Sequence, residues 1–353
     1  MKAYISAATA ISPQDTYTEK LLDGSIRNAE TARLKCVEPD YKETINPGLI
    51  RRMSHIVKMG VAAAVKTLKD AGIENPDAII TGTGLGCMED TGTFLASIFN
   101  NKEQFLTPTA FIQSTHNTIA GQIALMLKCN QYNFAYVHRG FSFENALLDA
   151  MMMIENKEAT HILLGGIDEI TDDYWNITQR LGMWKQGWTG ADELFKSNTR
   201  GTLGGEGASF FLLSESARGA LAQFDGVEMM FRPESEEFMI KRIHEFLDKN
   251  GLGIDDIDLV MLGKNGWPRY DRLYRPIEQD LFPHKPLLAF KHLCGEYMTA
   301  SSFAAWLSAK ILQKGAIPPS CLIRGSAPHS IKHILVYNHF LGTEHSMMLL
   351  SVC

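Results

Sequence analysis

Three groups of residues have the types and spacings to do chemistry. Cys294 and Glu296, in Lys291-His-Leu-Cys-Gly-Glu296, place a thiol two residues from a carboxylate, the raw material of a nucleophile and its base. A thiol attacks as thiolate and needs a cationic or dipolar neighbour to become one. The adjacent Glu works against that, so a buried structural thiol is the better reading. Gly82-x-Gly84-x-Gly86 follows the strand-like Asp77-Ala-Ile-Ile-Thr and suggests a phosphate cradle. A dinucleotide fingerprint wants its third glycine one place later and an acidic residue about 20 residues further on. Position 87 is Cys, and the corresponding stretch is the polar Asn100-Asn-Lys-Glu103, so the segment reads as a backbone turn packed closely on something. His329, His333, His339 and His345 could suggest a metal, but no two share a helical face beside a carboxylate, and no metal site is expected. The Met151-Met-Met153 run reads as soft core packing.

Composition narrows the function classes. Lys+Arg 34 against Asp+Glu 40 gives a formal net charge of −6, and no basic run interrupts the chain. A non-specific nucleic-acid or anionic-membrane binder carries the opposite bias. The longest weakly charged stretch, 297–312, is broken by Ser, Thr and Trp. It falls short of the roughly 20 apolar residues of a membrane span. The opening Met-Lys-Ala-Tyr-Ile-Ser-Ala-Ala reads as a first β-strand and not a secretory signal. The six cysteines form no CxxC pair and read as reduced thiols of a cytoplasmic protein. At 353 residues the chain allows two domains or two fused halves. It needs no disulfide or metal staple at that size.

The elements that must position these residues alternate between strand and helix, the signature of an α/β architecture. In 51–72, Met53, Val57, Val61, Ala64 and Leu68 fall on one helical face, and Gly72 is placed to cap the C-terminus. Asn133-Phe-Ala-Tyr-Val-His reads as a strand, Arg139-Gly140 as a tight turn, and 142–154 as a helix apolar on nearly every side, hence central and buried. His161-Ile-Leu-Leu-Gly-Gly166 is the following strand. The texture changes between Ser214 and Gly226, giving an expected N-terminal half of 1–215 and a C-terminal half of 216–353. The second half repeats the rhythm, with helices at 241–249 and 301–312 and strands at 258–263, 334–337 and 347–352.

Taken together, these segments resemble the β-ketoacyl synthase branch of the thiolase-fold enzymes. Asp77 to Gly86 is similar to the family's strand and Gly-rich turn, and Asn117-Thr-Ile-Ala-Gly121 to its Asn-x-x-x-Gly helix. Gly204-Gly-Glu-Gly207-Ala matches its Gly-Glu-Gly-Ala turn, Lys291 its active-site lysine, and His339-Phe340-Leu-Gly342-Thr343 its C-terminal Gly-Phe-Gly-Gly-Thr loop. The order is preserved from about residue 2 to residue 352. The resemblance implies a thiolase-like αβαβα five-layer fold of two similar halves.

The family's chemistry takes an acyl chain as a thioester on a Cys at a buried helix start, helped by the helix dipole. Two histidines stabilise the enolate formed on decarboxylation, and a lysine balances their charge. Backbone N–H groups at the nucleophile and at the Phe loop form an oxyanion hole. Laid on that pattern without gaps, the nucleophile position falls on Gly140, the first histidine on Gly263 and the second on Glu296, while Lys291 and Phe340 are retained. The resemblance therefore implies a chain that does no catalysis alone but serves a 3-oxoacyl-ACP synthase complex. That role is the chain-length factor of type II polyketide or of aryl-polyene and flexirubin systems, the latter more plausible because a Gly at the nucleophile position is divergent. Its implied partners are an active ketosynthase, as a heterodimer, and transiently an acyl carrier protein, with no metal or organic cofactor of its own. The implied pairing strand is Asn133, Phe134, Ala135, Tyr136 and Val137. Leu85 is the implied chain-length gate, with Phe111, Thr115 and His116 as tunnel-wall neighbours. Two alternatives stay open: an active 3-oxoacyl synthase, performing decarboxylative Claisen condensation through Cys294 or another thiol, and a self-associating scaffold.

Overall fold

The computed structural model describes residues 2–28, 30–187 and 190–353. Its first half runs β1 (Ala3–Ile11), α1 (Pro47–Ile50), α2 (His55–Ala71), β2 (Ala78–Gly82), α3 (Met88–Asn100), α4 (Pro108–Gln113), α5 (Thr118–Leu127), β3 (Tyr132–Tyr136), α6 (Ser142–Glu155), β4 (His161–Asp168), α7 (Asp172–Arg180) and β5 (Gly207–Ser214). The second half runs β6 (Ala222–Phe231), α8 (Glu236–Lys249), β7 (Leu259–Leu262), α9 (Pro268–Asp271), β8 (Leu287–Ala289), α10 (Lys291–Cys294), α11 (Ala300–Lys314), β9 (Leu322–Arg324), β10 (His333–Phe340) and β11 (Glu344–Ser351).

The strands form one continuous array in the order β3-β2-β4-β5-β1-β6-β11-β10-β7-β8-β9. Reading inward from β3, three parallel strands meet an antiparallel β5 and then β1. Reading inward from β8, parallel β8, β7 and β10 meet an antiparallel β11 and then β6. The same wiring is thus drawn twice, and the copies join where Ala3, Tyr4 and Ile5 pair with Phe224, Gln223 and Ala222.

Side-chain alternation along these strands sorts the core into layers. Ile80, Ile162, Leu164, Val336, Met348 and Leu350 face one central cluster with α6 and α11. Their neighbours Ile79, Leu163 and Leu212 turn the other way, onto α2 and α5. Leu335, Tyr337, Met347 and Leu349 turn onto α8. The result is helix, sheet, helix, sheet, helix. Helix α11 is buried from Ala300 to Leu312, as a segment covered by sheet on both sides must be, and α6 is buried along most of its length. Gly72 ends α2 in the left-handed conformation, φ 70°, its N–H donating back to Leu68 and Lys69 carbonyls.

Strand β3 is the outer edge of the array and carries the exposed Tyr132 and Phe134, with Val137 just beyond. Among the described residues no helix is long and apolar enough to cross a membrane.

The central layer sets the stability. Phe143 on α6 is fully buried against Phe211 of β5, ring centroids 5.8 Å apart. Phe143→Ala should therefore cost about 3–5 kcal/mol in denaturant unfolding, whereas Phe134→Ala on the exposed edge should stay within about 0.5 kcal/mol for the isolated chain.

Candidate functional site at the start of the central helix

Strand β3 leads into α6 through a turn in which Arg139 adopts the left-handed conformation, φ 50°. The Ser142 hydroxyl holds the turn, accepting from His138 N–H at 2.8 Å and donating to the Arg139 carbonyl at 2.8 Å. Gly140 sits buried at its tip. Its N–H donates to Glu344 Oε2 at 2.7 Å, over 204 residues of sequence. A Cβ on Gly140 would lie 2.5 Å from Phe340 Cβ and 2.7 Å from Glu344 Oε2. The space above the helix start is therefore already filled. Glu344 reaches it because the β10–β11 hairpin pairs Phe340 with Glu344 across a short turn, Leu341 and Gly342 both having positive φ. A carboxylate is well placed at a helix N-terminus, and Arg139 Nε approaches its other oxygen at 3.5 Å. The N–H that the resemblance implies for an oxyanion hole is thus spent on a resident anion.

Beside it, Lys291 and Glu296 form a fully buried ion pair, Nζ lying 2.8 Å from Oε1 and 2.9 Å from Oε2. Lys291 also donates to the His339 carbonyl at 3.1 Å. Asn265 Nδ2 donates to Glu296 Oε2 at 2.7 Å. A loop whose Asn265 and Gly266 N–H groups both donate to Asp271, each at 2.9 Å, holds Asn265 in place. Gly263 lies apart from this pair, against Asn338 and Tyr274: a Cβ there would come 2.1 Å from Asn338 Oδ1 and 2.8 Å from the Tyr274 hydroxyl. The side chain that meets Glu296 from the end of β7 is Asn265, two residues beyond the gap-free position. Asn265-Gly266 directly after a strand was the available signal.

Glu144, in the first turn of α6, completes the cluster. Burial pushes its carboxyl up to about 7, against the lowering influence of the Ser346 hydroxyl, which donates to Oε1 at 2.7 Å, and of Lys291. Burial, reinforced by Lys291 and His345, holds the His339 imidazole well below its usual range. His345 is pushed down to about 4 by burial. His339 stacks on Tyr274 at 4.6 Å and His345 Nδ1 bonds the Tyr337 hydroxyl at 2.8 Å, so both are neutral core residues. Among the described residues no His, Cys, Asp and Glu side chains gather into a metal-holding group. Cys294 is fully buried, and burial drives its thiol well above the ordinary value against the pull of Lys291. It is poorly suited to attack.

The Gly-rich turn packs as a support. A Cβ on Gly82 would lie 2.5 Å from the backbone of Ser142, so the turn touches the start of α6 directly. Asp168 accepts from Gly84 N–H at 2.7 Å and from Thr299 N–H at 2.9 Å, tying the turn to the start of α11. Leu85 lines a remnant pocket of about 20 Å³ with Glu296 and Phe340, space for about one water. Phe111, Thr115 and His116 do not line it. Phe111 stands 57% exposed on α4 beside Phe94, Thr115 bonds Asn117 and Thr118, and His116 packs under Gly86.

Residues 29–197 match the family model for the beta-ketoacyl synthase N-terminal domain. The ishigamide ketosynthase/chain length factor structure is similar at TM-score 0.80 and 19% identity, covering 100% of this chain and 99% of that one. A beta-ketoacyl synthase from Burkholderia phymatum is similar at TM-score 0.81 and 17% identity, with coverage of 100% and 99%. The ketosynthase ApeO in complex with its chain length factor ApeC, from Xenorhabdus doucetiae, gives TM-score 0.77 and 16% identity, with coverage of 99% and 98%. A comparison with curated proteins found no match in sequence. The fold is therefore the thiolase-like fold of ketosynthases. The family match covers 29–197, and over the rest of the chain the likeness to ketosynthases is one of fold.

The buried cluster has a pH signature. Glu144 keeps its proton in the folded protein up to about 7, whereas a free glutamate releases it near 4.5. Its contribution is thus present below that lower value and is lost as pH rises from about 4.5 through about 7. The full loss is about 3 kcal/mol. Urea unfolding at pH 5.5 and 8 should show stability falling in the wild type and falling less in Glu144→Gln.

Proposed function

We propose that this chain is the non-catalytic partner of a ketosynthase, a chain-length factor that heterodimerises with it and shapes the tunnel holding the growing acyl or polyene chain. One observation carries the reading. The nucleophile position is a glycine whose N–H is capped by the Glu344 carboxylate and whose side-chain space is taken by Phe340. An anion stationed there would repel a developing oxyanion, and glycine cannot form a thioester. The Lys291–Glu296 pair fills the place where the family's second histidine would work, and the remaining pocket is closed to an acyl chain. Carbon–carbon bond formation then belongs in the partner's cavity.

The surface supports a partner. Edge strands and contiguous apolar patches are normally covered. β3 exposes Tyr132 and Phe134, while the α3–α4 region exposes Leu95, Phe99, Phe105 (92%), Phe111 and Ile112. The pairing strand of the proposal is Asn133 to Val137. Leu85 is its gate, with Phe111, Thr115 and His116 meeting the acyl chain only once the partner's wall is in place. Two of the similar structures are named for a ketosynthase with a chain length factor, and a third, AntDE:AntF, for a ketosynthase with an acyl-carrier protein. We assign the chain by that analogy to a type II polyketide or aryl-polyene system of the cytoplasm, with acyl carrier protein as a transient partner and no cofactor of its own.

Co-expression with a ketosynthase that retains its Cys and both His residues should yield a co-purifying heterodimer. A stable homodimer indifferent to the ketosynthase would instead favour a scaffold. In the reconstituted pair, Leu85→Trp should shorten the products, read by mass spectrometry of the released chains, and unchanged lengths would remove Leu85 from the tunnel.

A further inference from the structure

A cavity of about 630 Å³ lies outside the closed site and is separated from it by Glu169 and Ile170, which line both. That volume is within the range of small-molecule pockets, about 300–1,000 Å³. Its wall is built from the 33–38 segment, the starts of α3 and α7, and the Gly-Glu-Gly-Ala turn.

The charges on this wall are unequal. Arg33 is engaged with Asp172 at 2.5 Å, and His55 lies between Glu38 at 3.0 Å and Glu206 at 3.2 Å. In all, six carboxylates (Glu38, Glu89, Glu169, Asp172, Asp173 and Glu206) face Arg33, Lys35 and His55, so even with His55 charged they exceed cations by three. The two helix N-termini offset only about one charge of that excess. Glu169 is the telling member. It is 6% exposed, its Oε1 accepts from Glu89 N–H at 3.0 Å, and its second oxygen accepts no hydrogen bond among the described residues and stays accessible on the cavity side. Burial of the side chain pushes this group up to about 7, with the Glu89 N–H and His55 opposing. Met88, Ala96 and Ile170 supply an apolar wall beside it. These carboxylates do not converge as metal ligands do, which favours a larger, organic cation.

We propose that this cavity binds a small aliphatic primary ammonium compound, with Glu169 as its anionic contact and the apolar wall against its methylenes. The site is independent of the dimer reading.

The probe is n-butylammonium, with 1-butanol as its uncharged isostere, titrated at low ionic strength and followed by ligand-observed NMR. Saturable binding of the amine, uncompeted by the alcohol, is expected. Glu169→Gln should weaken it roughly tenfold or more. Gly92→Leu tests the cavity without touching an acid. Gly92 lies on α3 in the cavity wall, where a Cβ would have only Asp173 Oδ2 within 4.0 Å, and replacing a helical glycine favours folding. It should abolish binding while thermal melting stays at or above wild type. Absence of saturable binding, equal affinity for the alcohol, or wild-type affinity in either variant would overturn the proposal.

Discussion

A carboxylate held against an N–H of the turn that leads into a buried helix organises this molecule's centre. Glu344 reaches Gly140 only because β10 and β11 close in one register, and it stays only because the helix start, Arg139 and the absence of a side chain at 140 favour it. Removing a charge from water costs several kcal/mol, so such a group persists where fixed donors replace that water. Once it is there, no side chain fits at position 140 and the Gly140 N–H is taken.

The Lys291–Glu296 pair follows the same logic one layer away. An unpaired buried lysine would be expensive, and the Glu supplies its counter-charge while Asn265 takes a further lone pair. Together with Glu144 and the neutral His339 and His345, the pair makes a buried, hydrogen-bonded polar core. The duplicated sheet around it keeps its shape, because Asp168 ties the Gly-rich turn to α11 and the turn in turn supports α6. The polar cavity beside α3 and α7 is a separate feature with its own charge balance.

Much of this was legible in the chain. The periodicity of α2, α6 and α11 and the apolar runs of β4 and β7 place the layers, and Gly140, Lys291 and Glu296 stand in local motifs that need no tertiary knowledge. Boundaries were less so. The 51–72 pattern yields a helix only from His55, and the 241–249 helix begins five residues earlier, at Glu236, where Ser235 accepts from Phe238 N–H at 3.1 Å. Glu344, Asn265 and Glu144 were not legible as site residues, because their partners lie far away in sequence or beyond a loop that shifts the register. Phe111 and His116 face outward in the single chain, and under the proposed function what they touch would be set by the partner.

The most direct test is intact-mass analysis of this chain, purified with its ketosynthase, after exposure to acyl-loaded carrier protein. The account predicts an acyl adduct on the partner and an unchanged mass here. An acyl adduct on any cysteine of this chain would contradict it.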